Sequence, residues 1–338
     1  MNRARAAFAV AIGAMLLAAP ALAHGATARA WLEKMSRALA TRDYEGTFFH
    51  VSGGRVETMR IVHRYRDGRV TERLESLDGA GREYVRSSDG RLICYMPDEH
   101  TVLVETRPTG SPFLRIMPKF GAAVDRFYRI RELPDARLLG HRVKVIAVDP
   151  KDQYRYGYRL WIDRKSAMPL KTQLRDSRGR VLEQILFATL KMPKRIPDKA
   201  LEANVPRTGM HWIVQGPTGG TSAGAAALRP VALPPGFRLT AAGAQTIGAA
   251  GRPAEHLVYS DGLATVSLFV EQRAPHAAAA RPPMHGLARL EAGFAFSTMV
   301  EGHQVTAIGE VPAQTVEFIA HSVRADDAGA MPTALRTH

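Results

Sequence analysis

The 338-residue chain has one cysteine, Cys94. It carries no H-E-x-x-H, no C-x-x-C, no Walker loop and no dinucleotide-binding glycine fingerprint. Beyond its N-terminus, no apolar run approaches the roughly 20 residues that a membrane span needs. A lone cysteine excludes an intrachain disulfide, so folding rests on burial. Cys94 lies in the apolar run Leu92–Met96 and reads as a small buried hydrophobe, because a reactive thiol or a metal ligand would need partners that the neighbouring sequence lacks. The twelve histidines are scattered, and no cofactor or metal is expected. Gly220-Thr221-Ser222-Ala223-Gly224 matches the G-x-S-x-G of a hydrolase nucleophile elbow. That motif requires a strand before it and a helix after it, and the flanks supply neither, so a hydrolase using Ser222 is the weakest functional reading. Glu72-Arg73 and Arg82-Glu83 lie within strand-like runs and read as solvated cross-strand pairs. His63 alternates with Met59, Ile61 and Tyr65 and reads as a packed side chain, not a catalytic one. No enzymatic activity is expected.

What is present begins with a secretory leader. Arg3 and Arg5 precede the apolar run 6–19, and Pro20 and Ala21-Leu22-Ala23 provide a helix break and a cleavage site after Ala23. No cysteine follows that site, so a lipid-anchored form is not expected. The mature chain is read as exported and soluble, either periplasmic or extracellular. Its formal charge is +14, or +12 once Arg3 and Arg5 leave with the leader. In an exported protein this excess favours lipid phosphates or an acidic polypeptide over nucleic acid.

Residues 27–39 place Ala28, Trp31, Leu32, Met35 and Leu39 at helical spacing. From Tyr44 the pattern is one of short alternating runs. Asp67-Gly68, Asp78-Gly79 and Asp89-Gly90 mark hairpin turns. Residues 108–121 are irregular, a short helix or a flap rich in Phe113, Leu114, Ile116, Met117 and Phe120. Runs at 127–133, 136–139 and 142–148 lead into the stretch 156–187. There Tyr156, Tyr158, Leu160 and Ile162 alternate with Gly157, Arg159, Trp161 and Asp163, so both faces of the sheet need a cover. Residues 24–205 therefore predict one helix on a curved antiparallel sheet. Residues 206–230 read as a linker, residues 231–325 as a smaller α+β unit whose helix starts at Pro312, and 326–338 as a tail. The fold class is α+β, mainly antiparallel β.

Aromatic and methionine side chains concentrate along the first sheet. Phe48, Phe49, Tyr65, Tyr84, Tyr95, Met96, Met117, Phe120, Phe127 and Trp161 are candidates to line a cavity for an acyl chain or an apolar peptide, although core filling explains them equally well. Arg60, Arg64, Arg66 and Arg159 are candidates for a basic rim. In the second unit, Tyr259, Asp261 and Gly262 are candidates for a partner-binding loop.

Several segments, taken in order, resemble the MucB/RseB family of regulators of the sigma-E type envelope-stress response. They are Asp43–Phe48, Val56–Arg64, the Leu-Trp-Ile-Asp and Met-Pro-Leu-Lys cores within 158–184, Leu233–Phe237, Tyr259–Leu263 and Gly309–Pro312. The resemblance implies a half-barrel similar to the lipoprotein carriers of the periplasm, with a helix packed on its sheet, joined to a smaller C-terminal domain. It further implies that the protein binds the periplasmic segment of an inner-membrane anti-sigma factor, shields it from regulated proteolysis and is released by lipid, lipopolysaccharide in particular. Self-association is left open. A periplasmic lipid or lipoprotein carrier is the rival reading.

Overall fold

The computed structural model describes residues 19–106, 113, 117–118, 120, 124–205, 208–215, 228–247, 252–272 and 285–325. The charged and apolar stretch of the expected leader, the Ser222 motif, the alanine-rich loop at 276–283 and the tail from 326 lie outside the described residues. Helix α1 (Ala19–Thr41) leads into a twelve-stranded sheet. Its strands are β1 (Tyr44–Ser52), β2 (Arg55–Arg66), β3 (Arg69–Ser76), β4 (Glu83–Arg86), β5 (Arg91–Met96), β6 (Thr101–Thr106), β7 (Tyr128–Leu138), β8 (His141–Pro150), β9 (Gly157–Asp163), β10 (Pro169–Arg175), β11 (Val181–Lys191) and β12 (His211–Gln215). The spatial order is β12-β6-β5-β4-β3-β2-β1-β11-β10-β9-β8-β7, and every neighbouring pair is antiparallel except β12 on β6. Two local meanders, β2 to β6 and β7 to β11, thus meet where β1 pairs with both β2 and β11.

The helix spacing read from the sequence is the spacing that is buried. Ala28, Leu32, Met35, Ala38 and Leu39 pack on Phe48, Ile61, Leu74, Ile146, Leu160, Ile162 and Phe187 as one core. That stripe is about 17 Å long, whereas strands β3 to β7 would span roughly 34 Å if flat, so the sheet curves around the helix. Burying Leu32, Met35 and Leu39 stabilises this packing by on the order of 6 kcal/mol, an upper figure. In the stretch 156–187, Leu160 and Ile162 face that core, while Trp161 joins Val143, Val145 and Leu170 on the opposite face.

Three expectations need correction. The runs expected at 127–133 and 136–139 form the single strand β7, bent by a bulge between Leu133 and Ala136. Pro134 sits in that bulge on an edge strand, where no ladder donor is missed. Residues 211–215 of the expected linker are β12, added to the sheet edge with Trp212, Ile213 and Val214 exposed. Of the charged pairs expected to be solvated, Glu72, Arg73 and Glu83 are buried and Arg82 alone is exposed. Arg73 donates to Glu83 at 3.1 and 3.3 Å and to Glu75 at 2.7 Å, and Glu83 also accepts the backbone N–H of Asn204. A carboxylate here ties the chain leading to β12 back onto the sheet.

The second domain has a six-stranded antiparallel sheet of β14 (Arg238–Ile247), β15 (Arg252–Ser260), β16 (Thr265–Gln272), β17 (Gly286–Arg289), β18 (Phe294–Val300) and β19 (His303–Gly309). Helix α3 (Ala313–His321), entered through Pro312, covers it with Val316, Ile319 and Ala320. Helix α2 is the single turn Val124–Phe127 before β7. A two-stranded pair, β13 (Leu228–Pro230) with β20 (Val323–Ala325), ties the ends of this domain together.

Candidate functional site

The concave face of the large sheet is closed by α1 and filled. Phe48 touches Phe113 and Phe187 with ring centroids 5.3 and 5.4 Å apart, and Met117 is buried beside them. A small cavity bounded by Leu32, Phe120, Val124 and Ile130 has only about 10 Å³, one water at most. Of the aromatic candidates, Phe48, Tyr84, Met117, Phe120 and Phe127 do gather in this core. Tyr95 packs with Val102 and Val104 on the opposite face, where Trp161 also lies, and Phe49 is exposed. Tyr65 and Met96 are half-buried.

The basic rim is not brought together. On β2, Met59, Ile61 and His63 face α1, so Arg60, Arg64 and Arg66 point to the other side with Val62. Arg64 donates to Asp198 at 2.6 Å and to the Ile196 carbonyl at 3.2 Å. Arg159 on β9 is half-buried, and burial lowers its pKa. His63 is fully buried and stacks on Tyr44 with centroids 4.5 Å apart. Its Nδ1 meets the Arg42 carbonyl at 3.0 Å, and Glu72 stands 4.0 Å from Nε2, too far for a hydrogen bond. Burial pushes the imidazole down to about 4, so His63 is neutral and the pair is not an ion pair.

The most polar buried geometry lies between the two domains. The expected partner loop is part of it, turned inward. Asp261 follows β15, and its Oδ1 accepts the backbone N–H groups of Leu263 and Ala264 at 2.8 and 2.7 Å, which fixes the carboxylate. Its Oδ2 accepts from Arg155 at 2.5 Å and from the Tyr128 hydroxyl at 3.1 Å. Arg155, in the segment between β8 and β9, also donates to Asp152 and to the Pro235 carbonyl. The rings of Phe127, Tyr128 and Phe237 surround its guanidinium at 4.8 to 5.6 Å. Gly236, at φ 85°, brings its backbone against Phe127, and a Cβ there would lie 2.3 Å from the ring. Tyr259 stays in the second domain's own core, and Gly262 takes φ 99° in the turn.

The remaining contacts extend this seam. Thr315 donates to the Tyr154 carbonyl, Gln314 to that of Gln153, and Tyr154 packs edge-on to Phe318. Ala292 is buried against Tyr156 and Leu174. Farther along, His50 on β1 and Glu183 on β11 share a hydrogen bond of 2.5 Å. Glu310, from the second domain, faces both: burial and then the Glu183 charge push its carboxyl up to about 7. The bond to Glu183 raises His50, against the opposing effect of burial. Arg155 and the His50–Glu183–Glu310 group escaped the sequence reading, because nothing in Lys151-Asp152-Gln153-Tyr154-Arg155 marks its arginine as buried. The one available signal was a polar segment flanked by tyrosines.

Among the described residues no cluster of His, Cys, Asp or Glu suited to a metal is found, and no helix is long and apolar enough to cross a membrane. The model of the MucB/RseB N-terminal domain matches residues 27–205, and that of the MucB/RseB C-terminal domain matches residues 223–324. The chain is 33% identical over 324 residues to the sigma factor AlgU regulatory protein MucB of Pseudomonas aeruginosa, covering 93% of this chain and 95% of that one. It is 25% identical over 331 residues to the sigma-E factor regulatory protein RseB of Escherichia coli, covering 94% and 96%. The structure of the Pseudomonas aeruginosa MucA/MucB complex superposes with a TM-score of 0.69 at 30% identity, over 89% of this chain and 100% of that one. Two domain models in order and relatives matched over nearly their whole length leave one conclusion: the chain belongs to the MucB/RseB family.

Proposed function

We propose that this protein is a non-enzymatic periplasmic regulator that binds the periplasmic segment of a membrane-spanning anti-sigma factor. Binding shields that segment from regulated proteolysis, and a lipid, lipopolysaccharide in particular, releases it. The observation that carries this reading is full-length similarity to a MucB solved in complex with the periplasmic part of MucA. The seam is compatible with it physically: the two domains are joined through buried polar contacts, and a partner and a lipid that favour different arrangements of the domains would oppose each other through it. A lipid releases the partner only to the extent that its affinities for the two arrangements differ.

The test is calorimetric titration of the mature chain with the anti-sigma periplasmic segment encoded in the same genome, with and without lipopolysaccharide. Binding that weakens at least tenfold with lipid, a coupling of about 1.4 kcal/mol, is expected. Absence of binding to that segment, with acyl chains extracted from the purified protein, would replace this reading by the lipid-carrier one.

A further inference from the structure

The face of the large sheet that turns away from α1 is covered by the chain over one half and bare over the other. Behind β2 to β6, the segment between β11 and β12 lays Ile196 and Leu201 on Val62, and Ala203, Val205 and Met210 beside Tyr95, Val102 and Val104. Behind β9 and β10, the apolar cluster around Trp161 holds only strand residues of the sheet itself among the described residues. There the register sets Trp161 opposite Lys171, Lys171 opposite Leu186 and Leu186 opposite Phe49, one side chain from each of four adjacent strands. Directly opposed residues share a face. This one is the outer face, because Leu160, Ile185, Phe187 and Phe48 beside them in sequence belong to the core under α1. Phe49 is 37% exposed, and Trp161 and Leu186 are half-buried.

The same bare face is short of acidic groups. Arg159, two residues before Trp161 on β9, has a buried Nε with no hydrogen-bond partner among the described residues. Asp149, whose charge acts on Arg159, is held by two N–H groups of Arg131 at 2.5 and 3.1 Å. Lys171 lies over the Trp161 ring at 4.8 Å, and Arg175 donates to the Gly179 carbonyl at 3.0 and 2.6 Å. For Arg159, Lys171 and Arg175, no carboxylate lies within ion-pair distance among the described residues. Burial, and next the charge of Arg175, lowers the proton affinity of both Arg159 and Lys171. Gln173 and Gln184, the neighbours of Arg159 along its row, satisfy each other at 2.6 Å and bring no charge. An arriving carboxylate relieves the repulsion among the three cations and supplies the acceptor that Arg159 lacks.

We propose that this face docks a short acidic segment of a second partner protein, with carboxylates on Arg159 and Lys171 and large apolar side chains against Trp161, Leu186 and Phe49. The row crosses four strands set about 4.8 Å apart, so it spans roughly 14 Å, the reach of about four extended residues. Neither described cavity lies here. The face therefore suits a chain lying on a surface, not a small molecule enclosed by protein. A contact of this size gives weak, reversible binding. All of its residues belong to the first domain, and a segment seated on them meets nothing that changes when the domains shift. Only differential contact couples a ligand to a rearrangement. This contact is thus separate from the lipid-sensitive one proposed above and does not depend on it.

The test titrates the full mature chain, by calorimetry at low salt, with an end-blocked peptide of alternating glutamate and leucine, about six residues long so that it overreaches the row. The same peptide with lysine in place of glutamate is the comparison. Binding of the glutamate peptide alone is expected, weakened at least tenfold in Arg159→Gln/Lys171→Gln. Phe49→Ser, at an exposed position, is expected to weaken it at least threefold and gives an independent second variant. Lys34→Gln/Arg37→Gln loses equal charge at exposed sites on α1, across the sheet. That variant should stay within twofold of native, as should Asp261→Ala with its seam weakened. No binding of the glutamate peptide, equal binding of the lysine peptide, or equal losses in the α1 variant would overturn the inference. So would a loss in Asp261→Ala, which would move the contact to the seam, or displacement of the peptide by the anti-sigma segment, which would make the two contacts one. The peptide is titrated without lipid or anti-sigma segment, so its binding is read whether or not that segment binds.

Discussion

A guanidinium with no exposed surface persists only where its N–H groups find acceptors, and Arg155 finds them on both domains. Removing one partner of such a buried pair leaves a charge without compensation, at a cost of about 3 to 5 kcal/mol. Asp261→Ala is therefore expected to lower the urea midpoint and to split unfolding into two transitions as the domains uncouple. Tyrosine and tryptophan fluorescence followed against urea checks this. Glu310 and His50 add a dependence on pH. A value raised in the folded state stabilises that state at low pH and is lost as pH rises through the folded value. Glu310, held at about 7, and His50, held above its ordinary 6.5, both stabilise the docked seam more as pH falls from about 8 to 6. His63 acts in the opposite sense. Pushed down to about 4, it contributes above its ordinary 6.5 and loses that contribution as pH falls toward 4. Melting temperatures measured across this range should rise toward pH 6 in the native protein and be flatter in Glu310→Gln; equal slopes would remove the seam from the explanation.

Among the elements, turn chemistry was the most readable part of the chain. Asp67 and Gly68 stand at φ 50° and 76°, the paired left-handed geometry of a tight hairpin, as Asp-Gly implied. Leu139 and Gly140 adopt the same geometry at 49° and 81° with nothing in the leucine to announce it. Here the ladder of β7 on β8 overrides local preference, and an exposed leucine is left where asparagine is better suited. Leu139→Asn is expected to raise stability by about 0.5 to 1 kcal/mol, read from the denaturation midpoint. The α1 stripe was legible because a period of 3.6 residues is a property of the sequence itself. The parallel addition of β12 was not, since a five-residue run after a glycine carries no record of which edge it will join. The arginines of β2 failed as a rim for a related reason: alternation places them together on one face but does not say which face is concave.

At the scale of the whole molecule, the division into a sheet-and-helix domain and a smaller second domain could be read from composition. Their contact could not, because it is made by isolated residues from distant segments. Gly236 shows how little space the contact leaves. Gly236→Ala would drive a Cβ into Phe127 and strain a left-handed backbone, so proteolysis between the domains is expected to quicken while each domain keeps its own sheet; limited digestion followed by mass spectrometry reads this directly. The path of the large sheet has a further consequence, one of timing. Its two meanders need only neighbours in sequence, but Glu45 must find Lys191 and Ser52 must find Glu183 before the halves become one surface. A chain synthesised from its N-terminus onward presents β1 long before β11 exists, and contacts so remote in sequence form slowly. The β1–β11 ladder should be the last of the sheet to gain protection in pulse-labelling hydrogen exchange, leaving β1 an open strand, available to chaperones, for most of the protein's maturation.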